Sequence, residues 1–301
     1  MKKKNSDFHN KSKRNTTEYK VGEETSLMEF LQTKFPDRSR NSIKQLLHNQ
    51  VILVNDEVAT KHDHAIKNGD VITLLPVKKV KNKRIRGIEI LFEDKSLLII
   101  NKPAGLSSMP YGHGLKDSVF SILTYYVKGK SKRHEIYNIH RIDKDISGIM
   151  VWAKNELIAE QIKESWMTTP PKRGFFAIVE GQISQNKGKI TSFLKETPQK
   201  IVKSKQDISF GKEATTNYEV IDAKGAFTLM KFWTKQPFKH QFRVHAKELN
   251  APILGDKLYG SKRNNLKRMA LHFGELKMIH PVTNKTIDID TDVPSDYQKL
   301  F

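Results

Sequence analysis

The sequence predicts an α+β protein with two unequal domains, the larger of which is built on a mixed, largely antiparallel β-sheet. Apolar runs of strand length outnumber helical patterns, and the two do not alternate regularly as they would in a parallel βαβ sheet. A second observation concerns residues 77–87, which hold six lysines or arginines and no acid. Such a self-repelling stretch stays extended and predicts a linker between the domains.

The composition limits the classes of protein to consider. A formal net charge of +20 over 301 residues favours a polyanionic partner bound through its phosphates, although a merely soluble basic surface is the alternative. The absence of cysteine excludes disulfides, thiolate zinc sites and a cysteine nucleophile. No apolar run is long enough for a membrane span and no signal peptide is evident, so we expect a cytoplasmic monomer that does not bind membranes.

The predicted N-terminal domain spans residues 24–76 and follows a polar, basic arm at residues 1–23, which has the composition of a disordered segment. Ser26 and Glu29 form a capping-box pattern at the start of a first helix. A second short helix follows. Two strand patterns close the domain, "VILVNDEVAT" with a turn at Asn55–Asp56 and then "NGDVITLL".

The predicted C-terminal domain spans residues 88–301 and begins with two strands in "IEILFEDKSLLIINK", joined by a turn at Glu93–Asp94. "GIMVWAK" is continuously apolar, as a buried strand is, and Asn155 caps the helix that follows. "GFFAIVEG" and "FTLMKFW" are typical of strands. "HQFRVHAKELN" is typical of a short helix, whose apolar residues share one face and leave Arg243 on its flank.

Most familiar site patterns are missing from this chain. It has neither the glycine-rich loop of a dinucleotide site nor a phosphate-binding P-loop, so we expect no cofactor. His240 and His245 are five residues apart and do not share a helical face as zinc ligands would. We therefore expect no metal, although histidines and carboxylates elsewhere leave a metal site open.

One charged loop remains as a candidate for chemistry. "HRIDKD" places Asp143 and Asp145 directly before the buried strand "GIMVWAK". Loops at the ends of sheets are where a rigid scaffold presents reactive groups. Taken alone, however, the segment is more typical of a charged surface turn.

Five blocks of the C-terminal domain together resemble the RluA-type pseudouridine synthases. These blocks occur in the family's order: "NKPAGL", "HRIDKDISGIMVWAK", "FFAIVEG", "HQFRVHAKELNAPILGDKLYG" and "ALHFGELKMIHP". The resemblance implies the pseudouridine synthase fold over residues 88–301. It also implies a cofactor-free isomerisation of uridine within RNA, with large-subunit ribosomal RNA as the expected substrate and transfer RNA as an alternative.

The N-terminal domain resembles the S4 RNA-binding domain through "RSRNSIKQLL", "VILVND" and "GDVITL". Arg38, Arg40 and Lys44 lie at the start of a short predicted helix, where backbone amides also favour phosphate. The resemblance implies that these three side chains contact RNA. A small mixed domain with a charged, solvated helix is the alternative interpretation.

The same resemblance implies roles for individual residues in the catalytic domain. Asp143 matches the catalytic carboxylate, which is suited to attack or stabilise the sugar's anomeric carbon or to act as a base beside it. Arg243 matches the arginine that pairs with this carboxylate, and a neighbouring cation favours the ionised form. Asp145 matches a variable loop position. The implied substrate-binding residues are Arg141, His140, Phe175 and Leu254.

Three departures from the family pattern bear on activity. Phe175 stands where a tyrosine is usual, so stacking is retained and a hydroxyl is lost. "QPFK" at residues 236–239 replaces a glycine-containing turn, and Ile146 replaces a threonine. These departures motivate a second hypothesis, a catalytically inactive RNA-binding or ribosome-assembly factor. A metal-dependent RNA hydrolase is a third, for which the sequence offers no carboxylate cluster.

Overall fold

The computed structural model comprises two compact units, Met1–Lys81 and Asn82–Phe301, which we call the N-terminal and the C-terminal unit. The structure describes residues 17–36, 40, 43, 46–47, 51–59, 61–74, 84–111, 118–130 and 135–301. Most of the predicted basic arm lies outside the described residues, as do Arg38 and Lys44. The side chain of Arg40 is exposed.

Among the residues that the structure describes, the N-terminal unit contains a four-stranded antiparallel sheet, a separate two-stranded one and the helix α1. Helix α1 spans Leu27–Lys34. The strands are β1 (Thr17–Lys20), β2 (Thr25–Ser26), β3 (Ile52–Val54), β4 (Glu57–Val58), β5 (Ala65–Ile66) and β6 (Val71–Leu74). The sheet has the order β1-β6-β3-β4, and β2 pairs separately with β5. All of these pairings are antiparallel.

Local signals in this unit are confirmed by the structure. The Ser26 side chain accepts from the Glu29 amide, and the Glu29 carboxylate accepts from the Ser26 amide, which completes the predicted capping box. Asn55 and Asp56 both have positive φ, as a two-residue hairpin turn between β3 and β4 requires. The apolar side chains of the second predicted helix, Ile43, Leu46 and Leu47, are buried against α1 and the sheet.

The C-terminal unit contains three α-helices and twelve strands among the residues that the structure describes. The helices are α2 (Val119–Lys130), α3 (Glu156–Thr168) and α4 (Gln241–Glu248). The strands are β7 (Arg84–Ile85), β8 (Ile88–Glu93), β9 (Leu97–Lys102), β10 (Tyr137–Asn138), β11 (Ser147–Ala153), β12 (Lys172–Glu180), β13 (Lys187–Glu196), β14 (Val202–Lys205), β15 (Lys212–Lys224), β16 (Phe227–Trp233), β17 (Leu271–Ile279) and β18 (Thr286–Asp290). Short 3-10 turns lie at Lys257–Tyr259 and Tyr297–Leu300.

One large sheet organises this unit, in the order β14-β13-β15-β16-β12-β17-β11-β9-β8-β7. Strand β10 pairs with β11, and β18 pairs with β17. Among the described strands only β11 and β17 pair in parallel. The predicted α+β class with a mixed, largely antiparallel sheet is therefore confirmed for the C-terminal unit. Across the described residues, no helix has both the length and the apolar character that a membrane span requires.

Strand β11 is the centre of the core, with all seven of its residues buried. The predicted helix cap beyond it is present, because the Asn155 side chain accepts from the amides of Leu157 and Ile158. Gly148 has φ +124°, and a Cβ at this position would lie 2.2 Å from the carbonyl oxygen of Phe273. Only glycine therefore allows β11 to approach β17 this closely.

The structure adds elements and corrects one detail of the sequence interpretation. Strands β13, β14 and β15 and helix α2 were not predicted. The three strands carry exposed polar side chains at alternate positions, and their apolar signal is weak. Helix α4 is buried on nearly every side from Gln241 to Ala246, whereas we expected one apolar face, because it lies between the sheet and the chain after Leu249.

Candidate active site

The loop before β11 carries Asp143 and is fixed to the end of β9. The amide of Ile146 donates to the Asp143 carbonyl at 3.1 Å, which closes a turn within the loop. The amide of Gly105 donates to the carbonyl of Lys144 at 2.8 Å, so the Pro–Ala–Gly loop after β9 lies against the Asp143 loop. The position of Asp143 is therefore set by two loops that hydrogen-bond to each other.

Lys102, at the end of β9, forms hydrogen bonds to both of these loops. Its ammonium group is fully buried and donates to the carbonyls of Pro103, Leu106 and Lys144 at 3.0, 2.7 and 3.0 Å. Burial lowers the pKa of Lys102 to about 8, against opposing contributions from the charges of Asp145 and Asp143. Three carbonyl partners satisfy all the donors that an ammonium offers.

Asp143 faces Arg243, which reaches it from helix α4. The Nη1 atom of Arg243 lies 3.4 Å from the Asp143 Oδ2 atom, longer than an ordinary charge-assisted hydrogen bond. The opposite edge of the guanidinium is bound bidentately by Asp256, with Nε–Oδ2 and Nη2–Oδ1 distances of 2.7 and 2.8 Å. Asp256 is 1% exposed and Asp143 47%. One carboxylate thus anchors the arginine and the other remains accessible.

The electrostatics of the pair follow from this geometry. Burial lowers the pKa of the Arg243 guanidinium, but its hydrogen bonds to Asp256 and the charges of Asp256 and Asp143 outweigh burial and raise it. The guanidinium also lies over the ring of Tyr259, with its central carbon 4.8 Å from the ring centroid. A permanently charged group therefore faces the accessible carboxylate.

His240 completes the cluster at the start of α4. It adopts a left-handed conformation, with φ 55°. Its Nε2 atom lies 3.6 Å from the Asp143 Oδ2 atom, too far for a hydrogen bond, while Nδ1 lies 2.9 Å from the hydroxyl of Tyr259. Burial and the charge of Arg243 lower the pKa of His240, and Asp143 opposes this shift. The imidazole is therefore neutral near pH 7.

A family model described as RNA pseudouridylate synthase matches residues 96–248, a segment that holds Asp143 and Arg243. The chain belongs to this family. A ribosomal large subunit pseudouridine synthase D from Zymomonas mobilis is 31% identical over 286 residues, which cover 87% of this chain and 88% of the relative. An uncharacterized RNA pseudouridine synthase, YhcT, from Bacillus subtilis is 29% identical, with 87% and 88% covered.

Solved structures show the same fold. Human RNA pseudouridylate synthase domain containing 4 superimposes with a TM-score of 0.58 at 23% identity, covering 69% of this chain and 90% of the human one. Human RNA pseudouridylate synthase domain containing 1 gives a TM-score of 0.56 at 18% identity, covering 70% and 85%. The C-terminal unit therefore has the pseudouridine synthase fold. The family membership shown by the sequence matches makes the protein an enzyme of the isomerase class that acts on RNA.

The predicted substrate-binding residues of the synthase lie in different environments. The side chain of Arg141 is exposed and makes no hydrogen bond to another residue that the structure describes. Phe175 is buried, with its ring stacked on Phe273 at 4.5 Å and 4.7 Å from Phe242, the neighbour of Arg243. Leu254 is fully buried in the core, where its amide donates to the carbonyl of Ile178.

His140 faces the interior of the synthase. Its Nε2 atom accepts from the amide of Val151 at 3.1 Å, and its ring packs against Trp166 and Phe273. Burial, with a contribution from the charge of Arg173, lowers the pKa of His140 to about 3. A neutral imidazole with one nitrogen bound to the backbone orients the Asp143 loop and is unsuited to carry protons.

Residues 236–239, which depart from the family pattern, form a well-bonded start to α4. The side chain of Gln241 accepts from the amide of Phe238 at 2.8 Å, and the amide of Gln241 donates to the Phe238 carbonyl. The ammonium group of Lys239 lies 2.6 Å from a carboxylate oxygen of Glu196. The segment thus closes a turn without glycine and retains one cation beside His240.

Sequence reasoning missed three members of the site: Lys102, Asp256 and Tyr259. Two of them belong to "ILGDKLYG", in which a buried acid follows a glycine and an apolar pair. A buried carboxylate requires a charged or hydrogen-bonding partner. An acid among apolar residues in the sequence could therefore have indicated that Asp256 binds another side chain of the site. Lys102 gave a similar signal at the end of an apolar strand. No group of three or more metal-ligating side chains occurs within the described part of the chain.

Proposed function

We propose that this synthase converts specific uridines of large-subunit ribosomal RNA to pseudouridine, with Asp143 as its catalytic carboxylate. The proposal rests on one observation, the half-exposed carboxylate of Asp143 facing an arginine that Asp256 holds from behind. The relatives named as acting on the large ribosomal subunit support this choice of RNA. Asp143, His240, Arg243 and Asp256 form the centre of the cluster within one chain, which supports action as a monomer.

The reaction exchanges one bond at the anomeric carbon of the ribose. The bond between uracil N1 and C1′ breaks, the base turns, and the bond between C5 and C1′ forms. The proton lost from C5 is balanced by the proton gained at N1, so the product is an isomer. Asp143 serves as nucleophile at the sugar or as base beside it. Arg243 orients the carboxylate, which its Nη1 atom faces at 3.4 Å.

The remaining predicted residues are assigned to the extruded nucleotide. We assign Arg141, whose side chain is exposed, to the space that the base vacates. Phe175 lies beside Phe242 and offers a π-face to the uracil. His140 and Leu254 shape the site from the interior, since the first binds Val151 and the second the strand at Ile178.

We assign RNA capture to the N-terminal part of the chain. Residues 1–23 act as a basic arm, 24–76 as an S4-like domain, and 77–87 as a linker to the catalytic domain, 88–301. Two features support this division: the excess of lysine and arginine over acids in residues 1–23 and 77–87, and the exposed side chain of Arg40 at a helical position. Arg38 and Lys44 are assigned, together with Arg40, to RNA binding. The absence of cysteine and the RNA substrate favour the cytoplasm as the site of action.

The test uses purified protein and ribosomal RNA labelled in uridine, followed by analysis of the nucleosides. We expect pseudouridine from the parent and none from Asp143→Asn, with equal RNA affinity for the two proteins. Asp145→Asn is the matched control, because this neighbouring carboxylate is exposed and belongs to the same loop. Product from Asp143→Asn at the parental rate would overturn the assignment.

An inactive RNA-binding or assembly factor is the second candidate. Phe175 and residues 236–239 favour it, because both depart from the family pattern. The same assay separates the candidates. If the parent and both variants bind RNA tightly and none of them forms pseudouridine, the result would select this second function.

A further inference from the structure

The β13–β14 hairpin of the C-terminal unit carries an exposed cluster of lysines. Lys195 on β13 lies directly opposite Lys203 on β14 in the antiparallel register, and Lys205 lies opposite Phe193. All three ammonium-bearing side chains are exposed. We call Lys195, Lys203 and Lys205 the lysine face.

This arrangement is unfavourable for the isolated protein. Like charges directly opposite each other on neighbouring strands destabilise a sheet. None of the three lysines forms an ion pair with another residue that the structure describes. The charge of Lys205 is partly compensated, because its ammonium group lies 4.9 Å from the centroid of the Phe210 ring. The hydrogen bonds from Ser209 are the main cause of the lowered pKa of Asp207, and the charge of Lys205 adds to them. An uncompensated pair of cations indicates a surface that receives an anion.

The opposite face of the same hairpin leads to the active site. Val202, the first residue of β14, exchanges backbone hydrogen bonds with the hydroxyl of Tyr259, which also contacts His240. At the hairpin turn, Glu196 pairs with Lys239, the residue before His240. The hydrogen bond from Lys239 and the charges of Lys239 and Lys200 lower the pKa of Glu196, against the opposing effect of burial. The lysine face therefore begins a few residues from the catalytic cluster.

We propose that the lysine face binds backbone phosphates of the RNA segment that flanks the target uridine. The inference rests on the proposed function, because it assigns this surface to the same RNA. Residues two apart on a strand lie about 7 Å apart, so Lys203 and Lys205 present a row of charges along β14. Such a row matches an extended polyanion, and lysine binds phosphate as a point charge without reading sequence. The hairpin thereby fixes the direction in which the RNA leaves the site.

The test compares two triple variants of the full-length protein. In the first, Lys195, Lys203 and Lys205 are replaced by Gln. In the matched control, three exposed lysines elsewhere on the C-terminal unit, Lys95, Lys163 and Lys285, are replaced by Gln, so that the change in net charge is identical. The dissociation constant for a ribosomal RNA fragment is measured by fluorescence anisotropy between 50 and roughly 300 mM salt, a range over which counterion release is visible.

We expect the first variant to bind at least about tenfold more weakly at low salt and its logarithmic salt slope to fall by about 2, as the loss of three phosphate contacts predicts. The control keeps the parental slope and kcat/KM. Replacement of the lysine face by arginines restores affinity, because the charges remain. Equal slopes for the two Gln variants would overturn the proposal.

The measurement separates this inference from the proposed function. RNA binding is measured without turnover, so a slope that falls in the absence of any pseudouridine would sustain the lysine face and remove the enzymatic assignment. Pseudouridine formation with an unchanged salt slope would sustain the enzymatic assignment and remove the lysine face. The melting temperature of each variant checks its fold. We expect no decrease for the Gln variant of the lysine face, because the substitutions remove the repulsion between Lys195 and Lys203.

Discussion

At the scale of single residues, two carboxylates share one guanidinium and have different tasks because of their burial. Asp256 is enclosed and makes both short hydrogen bonds to Arg243, while Asp143 is half exposed and meets the third nitrogen at 3.4 Å. A buried charge pair with good geometry is rigid, since either partner alone would be costly to leave in the interior. Asp256 is therefore a positioning residue, and Asp143 stays free to meet the substrate.

Replacement of Asp256 by Asn tests this division. The amide of Asn keeps the shape of the Asp256 side chain but loses its charge and one hydrogen-bond acceptor. The guanidinium of Arg243 is then held less firmly, and the orientation of its Nη1 atom toward Asp143 is no longer fixed. We expect kcat to fall about 10- to 100-fold, with KM for RNA changed little, because orientation and not RNA contact is lost. Steady-state pseudouridine formation on ribosomal RNA provides both constants.

The control for Asp256→Asn is Asp288→Asn, which removes an exposed carboxylate paired with Lys277 at 2.8 Å. Its kcat and KM should match the parent, since exposed ion pairs contribute little. A parental kcat for Asp256→Asn, in protein shown to be folded, would contradict the positioning role.

At the scale of elements, Lys102 joins the end of β9 to the loop that enters β11. Its pKa is lowered by burial from 10.5 to about 8. Between these two values the unfolded chain binds the proton more tightly than the folded one. Stability therefore rises as the pH increases from 8 toward 10.5, and the full cost of the buried charge is present below pH 8.

We expect the free energy of unfolding of the parent, relative to Lys102→Met, to rise by on the order of 3 kcal/mol between pH 7.5 and 10.5. Urea unfolding at a series of pH values measures this difference. Lys95→Met, which replaces an exposed lysine, should run parallel to the parent. A parent-to-variant difference that is constant with pH would show that the Lys102 ammonium is not destabilised by burial.

Elements with a strong local signal could be predicted from the residues themselves, whereas the pairing of Asp143 with Arg243 was implied only by the family resemblance. Strand β11 is apolar throughout, Asn155 marks a helix start, and Asn55–Asp56 marks a hairpin. Strands β13 to β15 could not be predicted in the same way, because one face of that hairpin is charged and the other packs on α4 only in the folded chain. The role of Asp256 also depended on tertiary structure, since nothing local shows which cation it meets.

At the scale of the whole molecule, basic residues occur in both units, so RNA affinity should be divided between them. A chain that begins at Asn82 retains every described strand of the large sheet, because β7 begins at Arg84. We expect this shortened chain to bind ribosomal RNA more weakly and with a smaller salt slope than the full chain, since phosphate contacts of the removed residues are lost. Anisotropy titrations over a range of salt concentrations provide the comparison.

Circular dichroism and the melting temperature of the shortened chain establish that the remaining sheet is folded. An unchanged salt slope would show that residues 1–81 do not contact phosphate. At saturating RNA we expect pseudouridine formation to persist, because Asp143, Arg243 and Asp256 all lie in the C-terminal unit.

The parallel junction of β11 with β17 has a consequence for how the enzyme is made. Residues Ser147 and Gly148 pair with His272 and Phe273, so β11, which already has β9 on one side, acquires its second neighbour only after 125 further residues have been synthesised. Pairings across so long a separation form slowly, whereas the strands of the N-terminal unit end at Leu74. On the ribosome, the first unit can therefore fold while the catalytic loop is still incomplete. We expect the nascent chain to acquire the ability to modify RNA only after β17 has been synthesised and paired, later than the folding of the N-terminal unit.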